Sequence, residues 1–123
     1  MNVLEALAVR VAGECGQRRW TIPRHYFYAD DAPARLAETL RRETGGRSVL
    51  IFSDARTRAV AGEACLRALR DAGWETRECL IPDGPGSSGP VCDDRTSDGL
   101  RAKIARADIF IAVGSGVVND LTK

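Results

Sequence analysis

The stretch Ser48–Ser53, SVLIFS, followed directly by Asp54, decides the fold class of this chain. All residues between its two serines are apolar, a pattern typical of a strand that is buried on both faces of a parallel sheet. Residues 57–72 then carry alanine, cysteine and leucine at helical spacing and end at Gly73, which predicts a helix. A buried strand followed by a helix predicts one half of a βαβ unit.

The same alternation continues toward the end of the chain. Residues 74–81 predict a second strand, and residues 97–106 predict a helix with Leu100 and Ile104 facing inward. Residues 108–113, DIFIAV, predict a third buried strand. Short apolar strands that alternate with helices indicate right-handed parallel crossovers, so the predicted fold class is an α/β sandwich.

Before the first buried strand the chain carries three weaker patterns. Residues 1–18 place apolar side chains on one helical face, and residues 20–28 predict two short extended segments. The aspartates at 30–31, ahead of Pro33, predict a helix start, because a carboxylate can accept hydrogen bonds from the free N–H groups of the first turn. Gly45 is expected to end that helix.

Composition excludes several classes of function. The 123 residues suit one domain, and 18 basic against 17 acidic residues give a net charge of +1. That balance predicts no nucleic-acid partner and no membrane partner. With no signal peptide or apolar span in the sequence, we expect a cytoplasmic protein with free thiols. A single histidine excludes a metal site that needs two imidazoles from these residues.

The third predicted strand runs into a glycine turn that suits an anion. A Gly-Ser-Gly turn before a helix start leaves unpaired backbone N–H groups at Gly116, Val117, Val118 and Asn119. They lie at the positive end of the helix dipole, which favours phosphate or pyrophosphate. The missing Cβ atoms of Gly114 and Gly116 allow an anion to approach the backbone closely and allow a positive φ. The carboxylate of Asp120 is expected to bond back to the loop. The predicted cofactor-binding residues of the turn are Gly114, Ser115, Gly116, Val117, Val118, Asn119 and Asp120. A tight turn without a ligand is the alternative.

Asp54 stands at the end of the first buried strand, at the edge where open α/β sheets bind ligands. Its carboxylate could accept hydrogen bonds from both hydroxyls of an adenosine ribose, which would favour NAD. By spacing, it could equally be the N-cap of the following helix. Arg56 or Arg58 could instead accept the 2′-phosphate of NADP.

Three segments resemble the dehydroquinate synthase-like superfamily, which includes iron-containing alcohol dehydrogenases and glycerol dehydrogenases. They are WTIPRH at 20–25, VLIFSD ending in Asp54, and AVGSGVVNDLTK at 112–123. The Gly-Ser-Gly turn followed by Asn-Asp is similar to the form found in the sn-glycerol-1-phosphate dehydrogenase branch.

The resemblance implies a Rossmann-like N-terminal domain that binds NAD or NADP, with Asp54 at the ribose and residues 114–120 at the pyrophosphate. It also implies a C-terminal helical domain that holds a divalent metal (Zn, Ni or Fe) with one Asp and two His. We therefore expect residues 1–123 to be a single nucleotide-binding domain, with a helix at 1–18, a core at 19–123, and the metal-binding domain outside it.

The resemblance further implies reduction of dihydroxyacetone phosphate to sn-glycerol 1-phosphate by the complete enzyme, with homo-oligomers possible. We expect this stretch alone to be inactive. Alternatives left open are a glycerol dehydrogenase, a dehydroquinate-synthase-type enzyme, a non-catalytic nucleotide-binding module, and a structural fragment that pairs with its own copy.

Overall fold

The computed structural model describes residues 23–123. By its internal contacts the chain divides into two compact units, Met1–Asp30 and Asp31–Lys123. The helix predicted at 1–18 lies outside the described residues. The two short extended segments predicted at 20–28 lie partly outside the described residues, and residues 23–30 form no strand. Tyr26 and Tyr28 in this stretch are both largely exposed.

The second unit alternates helices and strands. In chain order they are α1 (Ala32–Glu43), β1 (Ser48–Ser53), α2, β2 (Glu75–Leu80), α3 (Asp94–Arg101), β3 (Ile109–Ala112) and α4 (Gly116–Thr122). Helix α2 has three parts: an α-helical turn at Ala55–Thr57, a π-helical turn at Arg58–Gly62 and an α-helix at Glu63–Asp71. None of the helices within residues 23–123 has the length and apolar character of a membrane span.

The three strands form one parallel sheet in the order β2-β1-β3. Strand β1 has the bounds that its apolar run predicted, and it lies between the two strands that follow it in the chain. The predicted α/β fold, a Rossmann-like parallel sheet flanked by helices, is therefore confirmed.

Alternate residues of β1 point into two separate hydrophobic cores, because successive side chains of a strand face opposite sides of the sheet. Val49 and Ile51 pack against α1 and α2, in a core completed by Ala37, Cys65, Leu66, Leu69 and Trp74. Leu50 and Phe52 face α3 and α4, in a core completed by Cys79, Ile81, Leu100 and Val118. Helices thus cover both faces of the sheet.

Two predictions near the end of the chain were wrong in detail. Strand β3 is only partly buried, and Phe110 on it is 44% exposed, because within the described residues β3 pairs with β1 alone. Helix α3 begins earlier than predicted, since the carboxylate of Asp93 accepts a hydrogen bond from the Thr96 N–H at 2.7 Å. It also ends earlier, so Ile104 lies beyond the helix and is exposed.

Helix α1 begins where the aspartates and Pro33 predicted, but for a different local reason. Asp31 is the N-cap residue, yet its side chain accepts no hydrogen bond from a backbone N–H of the helix. Asp31 Oδ1 instead accepts a hydrogen bond from Arg35 Nε at 2.7 Å, one turn along the helix. Proline in the first turn removes one of the donors that a cap would satisfy.

Candidate functional site

The ends of the three strands lie side by side at the carboxyl edge of the sheet. Past the last paired residues, the Val113 N–H donates to the Phe52 carbonyl and the Ile81 N–H donates to the Ser53 carbonyl, both at 2.8 Å. This register brings Asp54 level with the start of the glycine turn after β3. Helix α2 leaves β1 toward one face of the sheet, and helix α4 leaves β3 toward the other face. The ends of β1 and β3 therefore form a topological switch point, where open α/β sheets bind ligands.

Asp54 is 5% exposed and caps helix α2. Its Oδ1 accepts hydrogen bonds from the Arg56 N–H at 2.8 Å and the Thr57 N–H at 3.1 Å. Thr57 Oγ1 accepts in return from the Asp54 N–H at 3.0 Å, so the pair forms a capping box. Within the described residues no donor reaches Oδ2. The capping role is thus present, and it leaves one carboxylate oxygen for a ligand.

Arg56 lies beside Asp54 and is held by a second carboxylate that the sequence reasoning missed. Arg56 Nε lies 3.5 Å from Asp54 Oδ1, and Arg56 NH1 donates to Asp83 Oδ2 at 3.3 Å. The hydrogen bond from Arg56 lowers the pKa of Asp83 below its ordinary value, and Asp83 raises the pKa of Arg56. A signal was available, because Asp83 is the first carboxylate after β2 and strand ends of a parallel sheet share one edge.

Arg58 is also engaged by carboxylates. Arg58 Nε donates to Glu78 Oε1 at 2.7 Å, and its NH1 donates to Glu63. The pKa of Arg58 is raised chiefly by the hydrogen bond to Glu78. Both arginines that the sequence suggested as binding partners for a 2′-phosphate are therefore paired with acidic side chains in this structure.

Gly114 is required by packing at the turn. It has φ +156°, and a Cβ on it would lie 2.7 Å from Val118 Cγ2 and 3.3 Å from Thr57 Cγ2. The turn after β3 thus touches the first turn of α2. Gly114 adopts the positive φ that glycine allows, whereas Gly116 is the first residue of α4 and has no positive φ.

Free backbone donors lie at the start of α4. The N–H groups of Gly116, Val117 and Val118 have no acceptor within the described part of the chain. The prediction of a free N–H at Asn119 was wrong, since this group donates to the Ser115 carbonyl at 3.1 Å. A Cβ on Gly116 would meet nothing within 4 Å, so space is open beside these donors.

Asp120 does not bond back to the glycine turn as expected. Its Oδ1 accepts from Lys123 Nζ at 3.1 Å, three residues further along the chain. Ser115 is the N-cap residue of α4, but its side chain makes no capping hydrogen bond. The turn is therefore shaped by the packing of Gly114 rather than by either polar side chain.

Within the described residues, open space is also found away from this edge. Two surface depressions of about 480 Å³ each lie elsewhere: one is lined by Gly45, Gly46, Gly73 and Trp74 at the amino edge of the sheet, the other lies between α1 and α2. A smaller pocket of about 170 Å³, lined in part by Asp83, Arg95 and Lys103, lies between the loop after β2 and helix α3. The strand ends and the free donors of α4 define the candidate site, because ligands of open α/β sheets bind outside the carboxyl ends of the strands.

Comparison with known proteins identifies the family. A sequence model of the iron-containing alcohol dehydrogenase family matches residues 28–123. The chain belongs to that family. The resemblance drawn from the strand ends and the glycine turn is thereby confirmed.

Individual relatives fall in two enzyme groups of this superfamily. The chain is 32% identical over its full length to a glycerol-1-phosphate dehydrogenase of Halalkalibacterium halodurans, of which it covers 31%. It is 31% identical over 85% of its length to a protein of the same name from Methanospirillum hungatei, covering 27% of that protein. Over 62% of its length it is 34% identical to a 3-dehydroquinate synthase of Synechococcus, covering 21%. The chain thus spans a third or less of these relatives.

Proposed function

We propose that the carboxyl edge of the sheet binds NAD or NADP in a dehydrogenase related to the glycerol-1-phosphate dehydrogenases. One observation carries the proposal: a carboxylate with a free oxygen, Asp54, and a turn with free N–H groups end adjacent parallel strands at a switch point. In such a position a dinucleotide can lie across both strand ends. Family membership supports the same placement.

Each part of the site has a chemical task toward the cofactor. The N–H groups of Gly116, Val117 and Val118 donate to pyrophosphate oxygens, and Gly116 lacks the side chain that would stand in their way. Asp54 Oδ2 accepts from the ribose hydroxyls while Oδ1 keeps its cap. The bound nicotinamide supplies or accepts the hydride, and these residues fix where it lies.

In the complete enzyme the proposed reaction is the reduction of dihydroxyacetone phosphate by NAD(P)H and a proton, which gives sn-glycerol 1-phosphate and NAD(P)+. The metal that the resemblance implies does not fit the described residues, among which no group of three His, Cys, Asp or Glu is suited to hold an ion. A site with two histidines would need at least one from outside this sequence, which contains a single His. We therefore expect no turnover by residues 1–123 alone.

The binding proposal is tested by calorimetric titration with ADP-ribose, comparing the wild type with Asp54→Ser and Gly116→Val. Serine is also a good N-cap, so Asp54→Ser keeps the start of α2 but removes the charged acceptor. We expect it to weaken binding by about 1 to 3 kcal/mol, the scale of charge-assisted hydrogen bonds. Gly116→Val should weaken binding by blocking the pyrophosphate. Absence of any ADP-ribose binding by the wild type would reject the proposal.

A dehydroquinate-synthase-type reaction is the second candidate, because proteins of that name are among the relatives. Both candidates use the same cofactor edge, so the described residues do not separate them. Offering the complete protein dihydroxyacetone phosphate with NADH, and separately the substrate of a dehydroquinate synthase, decides between them by product formation. Cofactor binding without either reaction would favour a non-catalytic nucleotide-binding module.

A further inference from the structure

The surroundings of Asp54 contain more charge than ribose recognition needs. Arg56 contacts Asp54 on one side and Asp83 on the other, and Asp83 belongs to the loop that follows β2. That loop closes on itself, since the Gly84 N–H donates to the Gly89 carbonyl at 3.0 Å. Gly89 lies against the guanidinium, because a Cβ on it would stand 3.6 Å from Arg56 NH2. The guanidinium is thus paired with two carboxylates and lies beside this loop.

We propose that Asp83 determines which dinucleotide the site accepts: by holding the Arg56 guanidinium, it denies the 2′-phosphate of NADP a cationic partner and selects NAD. This inference rests on the proposed function and deepens it. A 2′-phosphate on a ribose bonded to Asp54 would lie within reach of Arg56, because Arg56 Nε is 3.5 Å from that carboxylate.

Charge counting explains the direction of the selection. Asp54, Asp83 and Arg56 together carry one net negative charge, which disfavours a phosphate beside them. Both polar ends of the guanidinium are engaged by carboxylates, and the pKa of Asp83 is depressed by this contact, so Asp83 is ionised at neutral pH. An arginine that is freed from such a pair can bind phosphate in a bidentate manner.

The test compares the dissociation constants of the protein for ADP-ribose and for 2′-phospho-ADP-ribose by calorimetry. The wild type should prefer ADP-ribose. In Asp83→Asn, affinity for the phosphorylated ligand relative to ADP-ribose should rise by about tenfold or more, the scale of one charge-assisted hydrogen bond. Asp83→Glu, which can still hold Arg56, should keep the wild-type preference. Asp83→Ser serves as a second variant if the asparagine disturbs folding.

Two further variants separate the possible causes. The double variant Arg56→Gln with Asp83→Asn should lose the gain, because the gain requires the released guanidinium. Glu75→Gln is the matched control: it removes another exposed carboxylate that pairs with an arginine, Arg77 at 3.7 Å, at the opposite end of β2, and should leave the preference unchanged.

Each outcome decides a different point. If Asp83→Asn and Asp83→Ser bind ADP-ribose with an unchanged preference, the role of Asp83 is rejected while the proposed function stands. A gain that persists in the double variant assigns the effect to lost repulsion or to Arg95 and Lys103 of the neighbouring pocket, and rejects the role of Arg56. A wild type that binds neither ligand rejects the proposed function itself.

Discussion

Gly114 and Gly116 are two residues apart in one turn, yet they lack a side chain for different reasons. At Gly114 a Cβ would collide with Val118 of the following helix, and the backbone has a positive φ that disfavours other residues. At Gly116 neither constraint exists, because the position is helical and open. Folding therefore requires the first glycine, while the proposed ligand requires the second.

This difference predicts that alanine lowers the stability of the folded protein at Gly114 but not to the same extent at Gly116. Gly114→Ala should lower the free energy of unfolding by about 2 kcal/mol or more, through backbone strain and the 2.7 Å contact with Val118 Cγ2. Gly116→Ala should leave it within about 1 kcal/mol of the wild type, since alanine suits a helix. Urea denaturation followed by circular dichroism measures both. Equal destabilisation by the two substitutions would contradict the packing role of Gly114.

Asp54 shows what spacing alone could and could not predict at a single position. The Asp-x-x-Thr spacing of Asp54 and Thr57 is compatible with a capping box, and the structure contains one. The choice between cap and ligand could not be made from the sequence, because it depends on which oxygen each donor uses. Both donors share Oδ1, so the two roles are compatible.

Strands β1 and β3 are tied together at their amino ends by one carboxylate. Asp108 Oδ2 accepts hydrogen bonds from the Arg47 N–H at 2.8 Å and from the N–H and hydroxyl of Ser48 at 3.0 Å each. The Asp108 N–H donates in return to Ser48 Oγ at 3.0 Å. These contacts lower the pKa of Asp108 below its ordinary value of 3.8, the backbone hydrogen bond from Arg47 contributing most.

The depressed pKa predicts an acid-dependent loss of stability at this strand pair. A group with a lower pKa in the folded state stabilises fully above its unfolded-state pKa, and the contribution is lost as the pH falls through the folded-state value. The difference in urea midpoint between the wild type and Asp108→Asn should thus be largest near neutral pH and shrink below about pH 4. Asp98→Asn on α3, whose carboxylate lies 3.9 Å from Arg101, is the control. A difference that does not vary with pH would contradict this role.

The strands and helices differ in how well the sequence predicts them. The bounds of β1 follow from its apolar run, since a strand buried on both faces needs apolar residues at every position. The start of α3 was misplaced because Asp93 caps a turn with no apolar residue of its own. The exposure of β3 depends on how many neighbours it pairs with, which an isolated apolar run does not encode.

Across the second unit, β1 joins two cores that would otherwise be independent. Val49 and Ile51 belong to one core and Leu50 and Phe52 to the other, so neither core can form without this strand. The strand order β2-β1-β3 that produces this arrangement was not predicted, because periodicity specifies strands but not which neighbours they choose. The prediction of parallel crossovers required only the alternation of strands and helices.

Because β1 is shared, both cores should unfold in one cooperative step, and two buried thiols report it. Cys65 lies in the first core and Cys79 in the second, and burial raises the pKa of both, which slows alkylation of the folded protein. In a urea series with iodoacetamide and peptide-level mass spectrometry, both should become labelled at the same midpoint. The exposed Cys92 should be labelled without urea. Labelling of one buried thiol at a lower urea concentration would show that the cores unfold separately, and that β1 does not couple them.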